Sequence, residues 1–596
     1  MLLVLIDDAG FGNPSTFGGP VDTPNFTRMA EAGLRYNRFH VTALCSPTRA
    51  ALLTGRNHHT VGLGSIGELS SGFPSYTAFV PKDCAPFPKT LQENGYSTAA
   101  IGKWHMTPDG QQGPAGPFDR WPTGWGFDYF WGFLGGESGQ WDPVITENQK
   151  TIGVPKGTDG QPYYLPDDMA DKTIEWLHGV RAQDPDKPWF VYFSTGCSHA
   201  PHHVPKQWAD KYRGRFDHGW DRLREEVFER QKRLGVVPAD AELTPRNEAF
   251  PAWDSLDEEQ RRLYARQMEV YAGYSENADH NVGRVLDAIE QMGELEDTLV
   301  IWIWGDNGSS MEGNLTGSFN ELTMQNGIPL TPEQQLALVQ RYGGLEVWGS
   351  ELIAPHFSAA WAWAGNAPFQ WGKQVASHLG GTRNPAVVHW PSRVRDQGAV
   401  REQFSHVIDV GPTILEIAGI PQPTQVDGIE QEPMHGVSFA DSFTDAGAAE
   451  HRTQQYFEIF GNRAMYKDGW WLGDEDAPHP LGRHPGHHAQ VRPRHVGPRP
   501  RPGPAVLPAR GLHPGPRCGR RPPREGGRAQ RAVLGRGRAL QGPAPAGRHV
   551  VLLRCDPAAA HPVHVHLLRR RPERSLGDDP ADLQPFLHHH RRASGP

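Results

Sequence analysis

Four short apolar runs, each ending in a cluster of polar chemistry, narrow the folds open to this chain. Leu2 to Ile6 runs into Asp7 and Asp8. Thr98 to Ile101 runs into Gly102-Lys103-Trp104-His105. Trp189 to Phe193 leads on to His199, and Leu299 to Trp304 runs into Gly305-Asp306-Asn307-Gly308. Unbroken apolar runs of this length fit strands covered on both faces, the mark of a parallel sheet. In open α/β sheets the ligand site lies beyond the carboxyl ends of the strands. Any one of these runs could end in an ordinary polar loop. Four that deliver carboxylates, a lysine and histidines predict one sheet-edge site in an α/β fold, a mostly parallel central sheet flanked by helices.

Helical signals lie between the strands. Ser46 suits an N-cap and Pro47 the first helical position, which predicts a helix starting right after Cys45. A helix N-terminus favours anions, so Cys45 would face one. A long amphipathic helix is expected from about Asp257 to Met292, with Leu263, Met268, Tyr271 and Val285 as core contacts. Asp409 to Ala418 reads as another, closed by Gly419 and Pro421. Residues 206–254 are polar and partly helical and read as an insertion. The aromatics Trp121, Trp125, Phe127, Tyr129, Trp131 and Trp141 crowd one Gly-rich segment and are assigned to packing rather than to a site.

At 596 residues the chain can hold more than one domain. A net charge of −9 makes neither nucleic acid nor a membrane surface the default partner. Five scattered cysteines without a CxxC argue against a disulfide scaffold and fit a reducing compartment. No apolar run is long enough to span a bilayer. The opening Leu2–Ile6 lacks a basic flank and is cut at once by two aspartates, so it reads as a strand and not a signal peptide. A cytoplasmic location follows as an expectation.

The residues alone supply a metal set. Asp7, Asp8, Asp306 and Asn307 are all oxygen donors, which suits Ca²⁺ or Mg²⁺ better than zinc. Paired aspartates after a strand also serve as simple caps. His199, His202 and His203 would be a second choice, for a transition metal. Arg49 follows Cys45 by one helical turn and can share its face. Lys103 and His105 flank Trp104 and, in an extended segment, would point the same way.

The run Leu44-Cys45-Ser46-Pro47-Thr48-Arg49-Ala50-Ala51-Leu52-Leu53-Thr54-Gly55-Arg56 resembles the signature of type I, formylglycine-dependent sulfatases of the alkaline phosphatase superfamily. Gly102-Lys103-Trp104-His105, Ser198-His199-Ala200-Pro201, Gly305-Asp306-Asn307-Gly308 and Lys373 before Gly380-Gly381-Thr382-Arg383 follow in that family's order. The likeness runs from Met1 to about Trp471 and is nearest to the large bacterial arylsulfatases.

The resemblance implies a small-molecule sulfate ester as substrate and a formylglycine-generating enzyme as maturation partner. Cys45 becomes formylglycine, whose hydrate attacks sulfur and approaches a divalent ion, usually calcium, at Asp7, Asp8, Asp306 and Asn307. Asp306 takes a proton from the attacking hydroxyl. Arg49, Lys103 and Lys373 hold charge, with Lys103, His199 and Lys373 against the sulfate ester. His199 protonates the leaving alcohol, and His105 helps break down the sulfated intermediate. A phosphonate or phosphate ester hydrolase of the same superfamily is the alternative.

The same resemblance implies a catalytic domain over 1–395 and a smaller antiparallel subdomain starting at 396–474. It also implies a few more residues before the first strand. From about Glu475 onward the chain has no Lys, Asn, Ile, Thr, Tyr, Trp or Met and is rich in Arg, Pro, Gly, Ala and His. That bias fits out-of-frame translation of a GC-rich gene, with a disordered basic tail as the rival reading. A shifted frame would leave the subdomain incomplete, 475–596 poorly ordered and the product inactive if it cannot fold.

Overall fold

A computed structural model describes residues 1–157, 160 and 162–474, with the backbone of 550–554 and 566–567. An eleven-stranded sheet forms its centre. The strands are β1 (Leu2–Ile6), β2 (Leu34–His40), β3 (Ser97–Lys103), β4 (Tyr129–Phe133), β5 (Ile145–Glu147), β6 (Lys150–Ile152), β7 (Trp189–Ser194), β8 (Val300–Trp304), β9 (Arg383–His389), β10 (Val400–Arg401) and β11 (Ser405–His406). Their spatial order is β10-β2-β9-β8-β1-β7-β3-β4-β5-β6, with β11 also on β2.

Strands β8, β1, β7, β3 and β4 run parallel, while β9 lies antiparallel between β8 and β2. The mostly parallel sheet expected from the apolar runs is present. Its register pairs Ile6 with Trp304, Leu5 with Ser194, and Gly102 with Ser194. Asp7, Lys103 and Asp306 therefore leave the sheet along one edge.

Every residue of β1, β3, β7 and β8 is buried, because helices cover both faces. One cover is the helix Glu258–Gln291, capped by Asp257 in a capping box with Gln260. Leu263, Met268, Tyr271 and Val285 are all buried on it. Residues 206–254 hold the helices Lys206–Asp210 and Gly219–Arg233. The polar look of this segment is its solvent face; Trp220, Leu223, Val227 and Phe228 sit in the main core. The aromatics Trp121, Trp125, Phe127 and Trp131 are buried, and Trp125 and Phe127 pack edge-on to Trp104.

Two local expectations are corrected. The helix begins at Cys45, not after it, and spans Cys45–Thr54 with Leu44 at the N-cap position. The Ser46 hydroxyl is buried without a partner, and Pro47 sits two positions further into the helix than expected. The anchor is Thr48 instead: its Oγ1 accepts from the Thr42 amide at 3.0 Å and donates to the Asp306 carbonyl at 2.6 Å. The chain also stays in the central sheet past 396, because β10 and β11 pair with β2.

The C-terminal part carries the hairpin β12 (Gln425–Val426) and β13 (Ile429–Glu430), then an antiparallel sheet. That sheet contains β14 (Gln454–Ile459), β15 (Asn462–Lys467), β16 (Trp470–Asp474), β17 (Val550–Arg554) and β18 (His566–Leu567). The rest of the 475–596 stretch lies outside the described residues. β14–β16 seat on the main domain through rings: Phe404 stacks on Tyr466 at 3.8 Å and on His40 at 4.0 Å, and Phe457 meets Trp471 at 5.0 Å. Trp471 Nε1 donates to the Ser377 carbonyl and Asn462 Nδ2 to that of Gln374, both at 3.2 Å. The small sheet thus braces the loop that presents Lys373.

Three histidines are buried at this seam and held neutral by burial. His40 and His406 lie well below the ordinary imidazole value, and His58 is pushed down to about 3. Their folded pKa values are depressed, so the unfolded chain binds protons first as pH falls. Stability is complete above about pH 6.5 and is lost progressively below it. The expected loss is up to about 1.4 kcal/mol per pH unit per histidine. Urea unfolding at pH 7.5 and at pH 5.5 measures it; equal midpoints would contradict the seam's role.

Candidate active site

The sheet edge brings together ten of the twelve candidate residues singled out in the sequence. Asp7 follows β1, and its Oδ2 accepts from Lys103 Nζ at 2.6 Å. Asp8 Oδ1 accepts from Asn307 Nδ2 at 2.8 Å, and Oδ2 from Lys373 Nζ at 3.0 Å. Arg49 points from the Cys45 helix into this set. Its Nε and Nη2 donate to Asp306 Oδ2 at 3.1 and 2.9 Å, and Nη1 donates to the Lys103 carbonyl and to Ser194 Oγ.

The backbone is bent to aim these groups. Asp8, His105 and Gln374 have φ of 48°, 57° and 73°, in the left-handed region that side chains other than glycine rarely adopt. Gly305 has φ 111°, and a Cβ there would lie 2.1 Å from the Ala9 carbonyl, so only glycine lets β8 deliver Asp306 here. The turn at His105 overrides the expected extended geometry across Lys103-Trp104-His105. Lys103 reaches Asp7, whereas His105 Nε2 sits 3.1 Å from both oxygens of Glu68.

Cys45 is 3 % exposed. Arg49, Lys103, His105 and Lys373 all lie close enough to interact with its sulfur. Burial works against each of these four cations, but their carboxylate neighbours and the Cys45 sulfur outweigh it. All four are held above their ordinary values, His105 at about 9. A ring of cations around one small side chain is an anion site.

Asp7, Asp8 and Asp306 place oxygens within 4.8 Å of one another. Asp7 Oδ1 and Asn307 Oδ1 are buried without hydrogen-bond partners. Burial pushes the Asp8 and Asp306 carboxyls up. Two orphaned oxygens in a dry, all-oxygen set fit a hard divalent cation.

His199 Nδ1 donates to the Ala200 carbonyl at 2.6 Å, which fixes the tautomer. Nε2 is then free to accept from Lys373 Nζ at 3.2 Å. Burial, and then the charge of Lys373, hold this ring well below its ordinary value. His202 and His203 are neither exposed nor close to the cation set. His202 packs on Tyr271, and His203 bridges the Gln140 amide and the Ile353 carbonyl.

Four carboxylates here were not among the residues singled out in the sequence. Glu68 pairs with His105. Glu312 accepts from Lys373 Nζ at 2.6 Å and Gln374 Nε2 at 2.7 Å. Burial opposes its charge, but Lys373 and His199 hold its pKa down to about 2. Glu137 and Glu321 lie beside His199. An acidic residue four positions after Gly305-Asp306-Asn307-Gly308 was a visible cue for Glu312; nothing local marks the others.

Residues 1–420 match the family model for sulfatases, and residues 374–468 match the C-terminal model of N-sulphoglucosamine sulphohydrolase. The chain belongs to the sulfatase family. This sulfatase is 31% identical over 494 residues to an uncharacterized sulfatase of Schizosaccharomyces pombe, across 79% of this chain and 84% of that protein. It is 27% identical to an arylsulfatase of Klebsiella aerogenes, across 74% of this chain and 91% of that one.

Among solved structures it resembles Ps i-CgsB in complex with a neocarrahexaose, with a TM-score of 0.52 and 20% identity over 79% of this chain and 83% of that one. It also resembles BT4656 in complex with D-glucosamine-2-N,6-O-disulfate, with a TM-score of 0.50 and 18% identity over 80% and 89%. These structural likenesses speak for the fold. The family makes the sulfatase a sulfuric ester hydrolase. Among the described residues, no helix is long and apolar enough to cross a membrane.

Proposed function

We propose that this sulfatase hydrolyses aryl-type sulfate monoesters with a nucleophile made from Cys45, oxidised to formylglycine, beside a calcium ion. The observation that supports this most is the ring of four cations around Cys45. The thiol marks where the hydrate would stand. That hydrate supplies an oxygen nucleophile of a strength no unmodified side chain here offers. Asp7, Asp8, Asp306 and Asn307 would hold the calcium, for which magnesium is the substitute, and the bound cation neutralises charge developing on the sulfuryl oxygens.

The chain's own residues then divide the work. Arg49 fixes Asp306 from one side, leaving that carboxylate positioned to take the proton of the attacking hydroxyl. Lys103 and Lys373 bind sulfuryl oxygens. The proton for the leaving alcohol comes through the Lys373–His199 pair, since His199 Nε2 accepts from Lys373 and faces away from Ala200. His105, steadied by Glu68, serves the final proton transfer that frees sulfate.

The test is turnover of 4-nitrophenyl sulfate after co-expression with a formylglycine-generating enzyme, with the aldehyde at residue 45 confirmed by peptide mass. Aldehyde without turnover would sink the proposal, as would faster turnover of matched phosphate or phosphonate esters. The metal has its own readout. Calcium at a hundred times its dissociation constant is expected to add about 2.7 kcal/mol to the stability of chelator-treated protein. No shift of the urea midpoint would remove the cation from the scheme.

A further inference from the structure

We infer that the leaving-group side of this site is built for a sulfate ester whose alcohol part carries an ammonium charge, an inference that rests on the sulfatase reading above. Glu137, Glu321 and His199 bring carboxylate oxygens and a ring nitrogen within 4.8 Å of one another. Glu321 is only 5 % exposed, and its Oε2 is buried with no hydrogen-bond partner. Glu137 is exposed, so the cluster reaches solvent.

The lysines nearest this corner are already committed, Lys373 to Asp8 at 3.0 Å and Glu312 at 2.6 Å, and Lys103 to Asp7 at 2.6 Å. Two carboxyl groups beside the histidine assigned to the leaving alcohol are left without a salt bridge among the described residues. Burial, and then the charges of Glu137 and Glu312, push the Glu321 carboxyl well above its ordinary range; Glu137 is pushed up as well. A buried carboxylate with no cation and a like charge next to it is costly to keep. A neutral aryl alcohol would gain nothing from the pair.

The charge pattern is therefore split. Cations around Cys45 suit the sulfuryl oxygens, and the two carboxyls beside His199, which ionise against an arriving cation, suit a positive group on the alcohol. A zwitterionic ester matches both halves at once.

Calorimetry on the Cys45→Ala protein, which has no side-chain heteroatom to oxidise, reads this directly. The probes are 4-(aminomethyl)phenyl sulfate, the 4-hydroxymethyl analogue and the 4-ethyl analogue. The ammonium ester is expected to bind at least about ten-fold tighter than the ethyl ester near neutral pH, the scale of one ion pair at partial exposure. Glu137→Gln alone, and Glu137→Gln with Glu321→Gln, are expected to shrink that ratio. The single change at the exposed residue keeps the test readable if the double variant does not fold.

The inference falls if the hydroxymethyl ester matches the ammonium ester, which would mark a polyol site. It falls also if the preference survives Glu137→Gln undiminished. Neutral esters that bind with no ammonium preference would leave the sulfatase reading intact. Failure of every ester to bind would overturn both.

Discussion

Cys45→Ala protein, expressed with a formylglycine-generating enzyme, is expected to lose aryl sulfate turnover by at least about 10⁴-fold, as enzymes stripped of their nucleophile do. The cation ring survives the change, because Arg49, Lys103, His105 and Lys373 are each held by other partners. One sulfur atom leaves a small void, so the expected stability change is about 1 kcal/mol. The comparison is initial rate beside the urea midpoint. A variant that keeps a tenth of the activity would show that the attacking oxygen comes from elsewhere; one that unfolds would show Cys45 to be a packing residue.

The second large effect lies at Arg49. This fully buried guanidinium donates to Asp306 and lies 3.6 Å from Asp7. Arg49→Met preserves the bulk but leaves Asp7 with Lys103 and Asp306 with the Asp8 amide as remaining partners. Breaking a buried pair from one side costs about 3–5 kcal/mol. Urea unfolding in chelator is expected to show that loss, and added calcium is expected to return part of it, since a bound cation takes over the same oxygens. A loss under about 1 kcal/mol would mean that Arg49 does not hold the carboxylates. A loss that calcium leaves untouched would argue against a cation at that set.

Strand ends were the readable part of the site. Asp7, Lys103 and Asp306 were visible because each follows an apolar run whose parallel pairing carries it to one edge. The long helix was visible through its apolar period. Reading Ser46 as the cap failed because Thr48 ties the helix start to the Asp306 carbonyl, a contact across some 260 residues that no local rule contains. The bend at His105 was hidden for a similar reason: its amide bonds to Leu134 in a neighbouring loop. Glu68, Glu137 and Glu321 sit in segments without any repeating pattern, and only the fold brings them to the site. For 475–596 we propose the shifted reading frame, which sequencing the gene tests; a confirmed single frame would overturn it.

The burial of Cys45 also sets a schedule. On the proposed formylglycine reading, an enzyme that oxidises the thiol would have to reach it before the fold buries it. The strand β9, which closes the sheet between β2 and β8, begins about 340 residues after Cys45 in the chain. A ribosome adding roughly 5–20 residues per second takes about 17–70 s to make that stretch. During that interval residue 45 is synthesised but the sheet that buries it is not. If Cys45 is matured as proposed, maturation and folding would compete for one nascent segment, and the fraction of active molecules would depend on how fast translation runs.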